Sequence, residues 1–141
     1  MRDLKLDREI ILERFDIIQK SLNRLEKLKL LSKGKFFLDD NFAIAEHYLR
    51  YALEAIFDIC AHILARIPGV KADEYKEMAL EMGKQRLVPK EFAKKNLYEM
   101  AGYRNRLTHF YFEIKPDEMR KIIQEDSGDF KIFMKHIKKI L

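Results

Sequence analysis

Residues 39–69 read DDNFAIAEHYLRYALEAIFDICAHILARIPG, opened by two aspartates and closed by Pro68-Gly69. Between those ends Ile44, Tyr48, Tyr51/Ala52, Ala55, Ile59 and Ile63 recur every three or four residues, the period of one helix face. Asp39 or Asp40 can accept hydrogen bonds from the free amides of a first turn, and Pro-Gly cannot continue a helix. The stretch therefore predicts one long helix with a buried stripe.

Working outward, Ile11, Phe15, Ile18, Leu22 and Leu25 stand at spacings of 4, 3, 4 and 3 and predict a helix over about residues 4–31, ended by Lys33-Gly34-Lys35. The two long helices are expected to lie antiparallel. A shorter helix with Tyr75, Met78, Ala79 and Met82 is expected after Asp73, finishing at Gly83. Pro89 suits the first turn of the next helix, which carries Phe92, Ala93, Leu97, Met100 and Ala101. Pro116 opens the last segment, with a candidate interruption at Ser127-Gly128 before Phe130, Phe133, Met134, Ile137 and Leu141. Five Gly and three Pro in 141 residues leave few helix breaks, and no strand-like alternation stands out. The expected fold is all-α: an antiparallel four-helix up-and-down bundle with a short extra helix, in a single domain spanning 1–141.

Lys and Arg total 28 against 23 Asp and Glu, a formal charge of +5 that suits a polyanionic partner without demanding one. Cys60 has no second cysteine to pair with, so a reducing, cytoplasmic setting is expected. The leading MRDLKLDREIILERF is charged throughout, unlike a signal core, and no apolar run reaches the ~18 residues of a membrane span. No HExxH, Cys/His cluster or Gly-rich phosphate loop occurs, so no metal or cofactor is called for. His47 and His62, both on the second helix, read most simply as structural histidines.

Residues 104–111, RNRLTHFY, gather Arg104, Asn105, His109 and Tyr111 within about two turns of the predicted fourth helix. On an ideal wheel Ala93, Leu97, Met100, Ala101, Leu107 and Thr108 fall within about 60° of Arg104, which places the guanidinium on the apolar face. A buried cation there must pair with an acid such as Asp58 on the second helix, hold an anion, or face a second subunit. His109 lies roughly 140° around the axis from Arg104. Either the helix is distorted at this point or the site is a groove shared by two copies about a twofold axis.

An arginine and a histidine close together suit metal-independent RNA cleavage. Imidazoles exchange protons near neutrality, and a guanidinium grips a phosphate and stabilises charge growing on its oxygens. Asn105 could hold the imidazole's tautomer or bond a phosphate oxygen. Arg106, Lys94 and Lys95 are candidate collectors of RNA phosphates.

At this octet the sequence resembles the HEPN superfamily, and RNRLTHFY matches the R-x4-H-x-Y form of the HepT-like toxins. YALEAIFDICAHIL at 51–64 resembles that family's second helix, and EMAGYRN leads into the motif in the same way. The resemblance implies a homodimeric RNase toxin with Arg104 and His109 as catalytic pair and Asn105 in support. It also implies a minimal nucleotidyltransferase antitoxin that transfers AMP to the motif tyrosine, Tyr111. The other reading is a noncatalytic helical dimer that binds a nucleotide or a nucleotidyltransferase and uses Arg104 only to hold an anion.

Overall fold

The computed structural model of the chain describes residues 4–109 and 113–141. Among these residues the fold is all-α, with no strand, and no described helix is long and apolar enough to cross a membrane. Helix α1 spans Arg8–Lys29. It starts where the Asp7 carboxylate accepts the Ile10 N–H at 3.3 Å, with Glu9 in its first turn and Lys27 and Lys29 in its last, matching the helix dipole at both ends. The Lys33-Gly34-Lys35 stretch, expected as a plain break, forms a single turn, α2, Lys33–Phe36. Ser32 Oγ accepts the Lys35 N–H at 3.3 Å, and Phe36 is buried in the core.

Helix α3, Asn41–Leu64, is the long helix expected from the opening stretch. It packs against α1 and against the four helices that follow it. Eleven of its residues are buried, adjacent pairs such as Ala52-Leu53 and Ile59-Cys60 included, so it is covered on more than one side. Each fully buried Leu, Ile or Phe contributes about 1.5–3 kcal/mol relative to an exposed one. Tyr51, read as part of the stripe, is 51% exposed, and Ala52 takes the inward position. The Cys60 thiol is fully buried, and burial pushes its pKa far above the ordinary range, so it is not a reactive group. His62 has a structural place: its Nε2 accepts the Asp7 backbone N–H at 3.0 Å, fastening the start of α1 to the end of α3.

Helix α4 is Tyr75–Lys84. Helix α5 runs over residues 90–108 as Lys90–Phe92, a π-helical Ala93–Leu97 and Tyr98–Thr108. The last segment divides at Ser127 into α6, Pro116–Asp126, and α7, Gly128–Lys138. The α4–α5 corner departs from expectation. Gly83 does not end α4; a Cβ there would sit 2.6 Å from the Ala93 Cβ, so glycine lets the Ala93 methyl of α5 pack directly on the α4 backbone. The helix runs one residue further, to Lys84, and the chain turns away at Arg86, whose φ of 60° lies in the left-handed region, with Arg86 N–H on the Gly83 carbonyl at 3.0 Å and Leu87 N–H on the Met82 carbonyl at 2.9 Å. Glycine normally fills that position, and a side chain there costs on the order of 1 kcal/mol.

Candidate active site

The site forms where the C-terminal end of α5 meets the start of α4 and the middle of α3. Arg104 keeps only 18% of its side chain exposed, as its place on the apolar face requires. Its guanidinium lies 4.1 Å over the Tyr75 ring, Nη2 faces the Glu54 carboxylate at 3.4 Å, and Nη1 faces Thr108 Oγ1 at 3.4 Å. A planar cation held by a ring face, an acid and a hydroxyl has little freedom to rotate away. Tyr75 is itself seated on Phe57 of α3, ring centroids 5.3 Å apart.

The expectation that His109 continues the helix does not hold. Helix α5 ends at Thr108, and His109 is extended, with φ −117° and ψ 103°. Thr108 Oγ1 donates back to the Asn105 carbonyl at 2.9 Å, and Arg50 Nη2 from α3 donates to the Leu107 carbonyl at 3.3 Å. Those bonds satisfy carbonyls that a continuing helix would otherwise use. Freed from helical geometry, exposed His109 lines the same open cleft of about 600 Å³ as Arg104 and Asn105, with Asp73, Glu74, Tyr75, Lys76, Gly102 and Arg106 also on its walls. The angle that separated Arg104 from His109 on an ideal wheel is thus removed by the end of the helix. Asn105 lines this cleft, and among the described residues no side-chain hydrogen bond joins it to the imidazole.

A sequence profile of the Ribonuclease HepT-like family matches residues 11–137. The chain belongs to that family. A similar protein, the tRNA nuclease HepT of Aphanizomenon flos-aquae (strain 2012/KM1/D3), is 28% identical over 133 residues, covering 94% of this chain and 90% of that one. Two solved structures share the fold with a TM-score of 0.82. One is a toxin-antitoxin with AMP-PNP, 21% identical and covering 93% of this chain and 98% of that one. The other is the tri-AMPylated Shewanella oneidensis HEPN toxin in complex with MNT antitoxin, 23% identical and covering 99% of both chains. YutE of Bacillus subtilis, a cytosolic protein of unknown function, has the same fold at TM-score 0.81 and 14% identity, over 98% of this chain and 92% of that one.

Several residues of this HepT-like chain stand elsewhere than the sequence reading placed them. The acid that meets Arg104 is Glu54, one turn before Asp58; Asp58 pairs with Arg14 Nε of α1 at 2.9 Å. Arg106, read as a phosphate collector, lines the Arg104 cleft and at the same time grips both oxygens of Glu118 on α6 at 2.6 Å and donates to the Glu113 carbonyl at 3.3 Å. The hydrogen bonds from Arg106 hold the Glu118 carboxyl below its usual range, as expected of a two-pronged clamp. Lys94 and Lys95 are exposed in the π-helical turn, about 15 Å along the axis before Arg104 and outside its cleft. Tyr111 lies outside the described residues. Sequence reasoning missed Arg50, Glu54 and Tyr75. The signal for two of them was present, since Glu46, Arg50, Glu54 and Asp58 recur every four residues and form a polar stripe on α3.

Proposed function

We propose that this chain is a metal-independent endoribonuclease and the toxin of a toxin-antitoxin pair, acting on RNA through Arg104 and His109. The observation that carries this reading is that the helix stops at Thr108 and leaves Arg104, Asn105 and His109 lining one cleft. In the proposed reaction the RNA 2′-hydroxyl loses its proton and attacks the adjacent phosphorus, and the bond to the 5′-oxygen breaks as that oxygen takes up a proton. The products are a 2′,3′-cyclic phosphate and a free 5′-hydroxyl. Arg104 stabilises charge on the phosphoryl oxygens, and Asn105 bonds one of them. One imidazole in one cleft cannot remove and supply protons at the same moment, whereas two copies of His109 across a twofold groove supply both roles. The active unit is accordingly a homodimer with a composite site.

The partner is a minimal nucleotidyltransferase antitoxin that transfers AMP from ATP to the Tyr111 hydroxyl, with pyrophosphate leaving. Tyr111 is two residues from His109, so the adduct adds bulk and negative charge beside a cleft that must admit a polyanion. The AMPylated toxin in complex with its antitoxin, which has this fold, supports that assignment.

Replacing His109 with Ala tests the nuclease reading. Loss of growth inhibition and of RNA cleavage, with the dimer intact, is expected; retained cleavage, or products that carry 5′-phosphates, overturns the proposal. Intact mass after coexpression with the nucleotidyltransferase reads the modification directly, and Tyr111→Phe should remain unmodified and toxic.

A further inference from the structure

At the other end of the α4–α5 pair lies a second open cleft, of about 630 Å³, built around the strained corner. Its polar walls are Lys84, Arg86, Lys90, His136 and Lys139, and its floor includes Leu87, Val88 and Ile140. Among the described residues no acid lines it. Arg14, Lys20, Lys33, Arg50, Arg104, Arg106 and Lys131 each pair with a carboxylate. None of Lys84, Arg86, Lys90 and Lys139 does so among the described residues. Burial, then Lys139 and Lys135, disfavour the charged form of His136.

The corner supplies a second, independent observation. Arg86 occupies the left-handed position at the end of α4 where glycine would fit without strain. A side chain retained against its backbone preference is expected where the side chain itself is used.

We infer that this cleft is a second RNA-binding site, which holds the phosphate backbone of a strand running along α4 and α5 toward the Arg104 cleft. Lys84, Arg86, Lys90 and Lys139 contact phosphates, and the apolar floor receives a base or ribose. Helix rise places the two clefts roughly 15–20 Å apart, a span that a strand of several nucleotides bridges. Lys94, one turn beyond Lys90, extends the cationic line toward Arg104. The inference rests on the nuclease reading for the identity of the polyanion, and it assigns the substrate as a strand extended past the cleavage point.

The test measures binding in the full chain carrying His109→Ala, so that the RNA stays uncut. The probe is a fluorescein-labelled single strand of about 20 nucleotides, longer than the ~4–16 one such site covers. In K84A/R86G/K139A the Kd is expected to rise at least tenfold, and the slope of log Kd against log salt to fall by about 2, at ~0.7 per lost phosphate contact. R86G alone should weaken binding while its Tm equals or exceeds the parent's, which separates the role of the guanidinium from folding. Unchanged Kd and slope overturn the inference; if affinity for the nucleotidyltransferase falls instead, the cleft receives an acidic protein. Cleavage by the His109-intact chain together with unaltered binding in the triple variant removes the second site and leaves the nuclease. RNA binding that depends on the cleft without any cleavage does the reverse.

Discussion

The Arg104 guanidinium lies 4.1 Å over the ring of Tyr75, so the catalytic candidate on α5 is aimed by the first residue of α4. The ring face contributes roughly 0.5–2 kcal/mol to holding the cation, and its larger effect is on direction. Tyr75→Phe keeps the ring and should cleave RNA as the parent does. Tyr75→Ala should cleave about 10- to 100-fold more slowly, the scale expected when a catalytic group shifts by about 1 Å. Initial rates on a fixed RNA read both variants, and equal rates for Ala and Phe would remove Tyr75 from the site.

Glu54 is the second constraint on Arg104, and it can be separated from charge alone. Glu54→Gln leaves an oxygen to accept the guanidinium N–H and should lose little, whereas Glu54→Leu leaves the guanidinium without its acid. In Glu54→Leu the expected loss is on the order of tenfold in kcat with KM changed less, since the group misplaced is the one proposed to meet transition-state charge. A matching loss in Asp58→Leu would favour the pairing first read from the sequence.

How far the sequence revealed the site turns on these contacts. That Arg104 belongs on the buried side followed from Leu97, Met100 and Ala101, because the helical period is a property of the chain alone. Which acid would face it did not follow, since axial register between two helices is set by packing and one turn separates Glu54 from Asp58. The π-helical turn at Ala93–Leu97 also shifts the phase of every residue beyond it, and nothing in AKKNL announces it. His109 was read as helical with the rest of the octet, since no Gly or Pro stands between Arg104 and His109. At the helix end one bond is tertiary, Arg50 from α3 holding the Leu107 carbonyl, and one is local, Thr108 turning back on Asn105. The long helices were legible for the opposite reason, since α1 and α3 carry their stripes and stop signals within their own sequence.

Arg106 should act on stability rather than on RNA. It joins α5 to Glu118 of α6 by two bonds of 2.6 Å, with the pair at 34% and 39% side-chain exposure. Solvent screening at that exposure limits the contribution to roughly 0.5–1 kcal/mol. Arg106→Ala and Glu118→Ala are each expected to lower the unfolding free energy by that amount, read from denaturant titrations, and the double variant by little more than either. The salt dependence of RNA binding should stay the same in Arg106→Ala; a slope reduced by about 0.7 would return Arg106 to the phosphate collectors.

His62 makes stability depend on pH in a predictable sense. Burial, then Arg66, lower its pKa below the ordinary value, against a smaller opposing effect of Asp7. The neutral ring is the acceptor for the Asp7 N–H, and protonation removes that lone pair. The unfolded chain therefore binds the proton more readily than the folded one. Stability from this group is complete above the unfolded pKa near ~6.5 and is lost as pH falls through the lower folded value. Glu99 and Asp129, whose pKa values are raised chiefly by burial, act in the opposite sense, so the total curve mixes the two. His62→Gln keeps an acceptor that does not titrate. The difference in Tm between parent and His62→Gln should drift in favour of the variant as pH drops from about 7 to 5, and a constant difference would show that His62 is not the group responsible.

Gly83 and Ala93 give the sharpest test of the corner that links the two clefts. Because a Cβ on Gly83 would stand 2.6 Å from the Ala93 Cβ, Gly83→Ala must push α4 and α5 apart or strain both. Overpacking of this kind costs about 1–3 kcal/mol. The paired change Gly83→Ala/Ala93→Gly exchanges the two methyl groups and restores the close approach, at the cost of a glycine inside α5 of roughly 0.5–1 kcal/mol. Thermal unfolding should therefore show the single variant well below the parent and the double variant recovering much of the loss. If the two variants unfold together, the methyl clash is not what the glycine avoids. Cleavage should follow the same order, because separating α4 from α5 moves Tyr75 away from Arg104 and opens the contact on which the site depends.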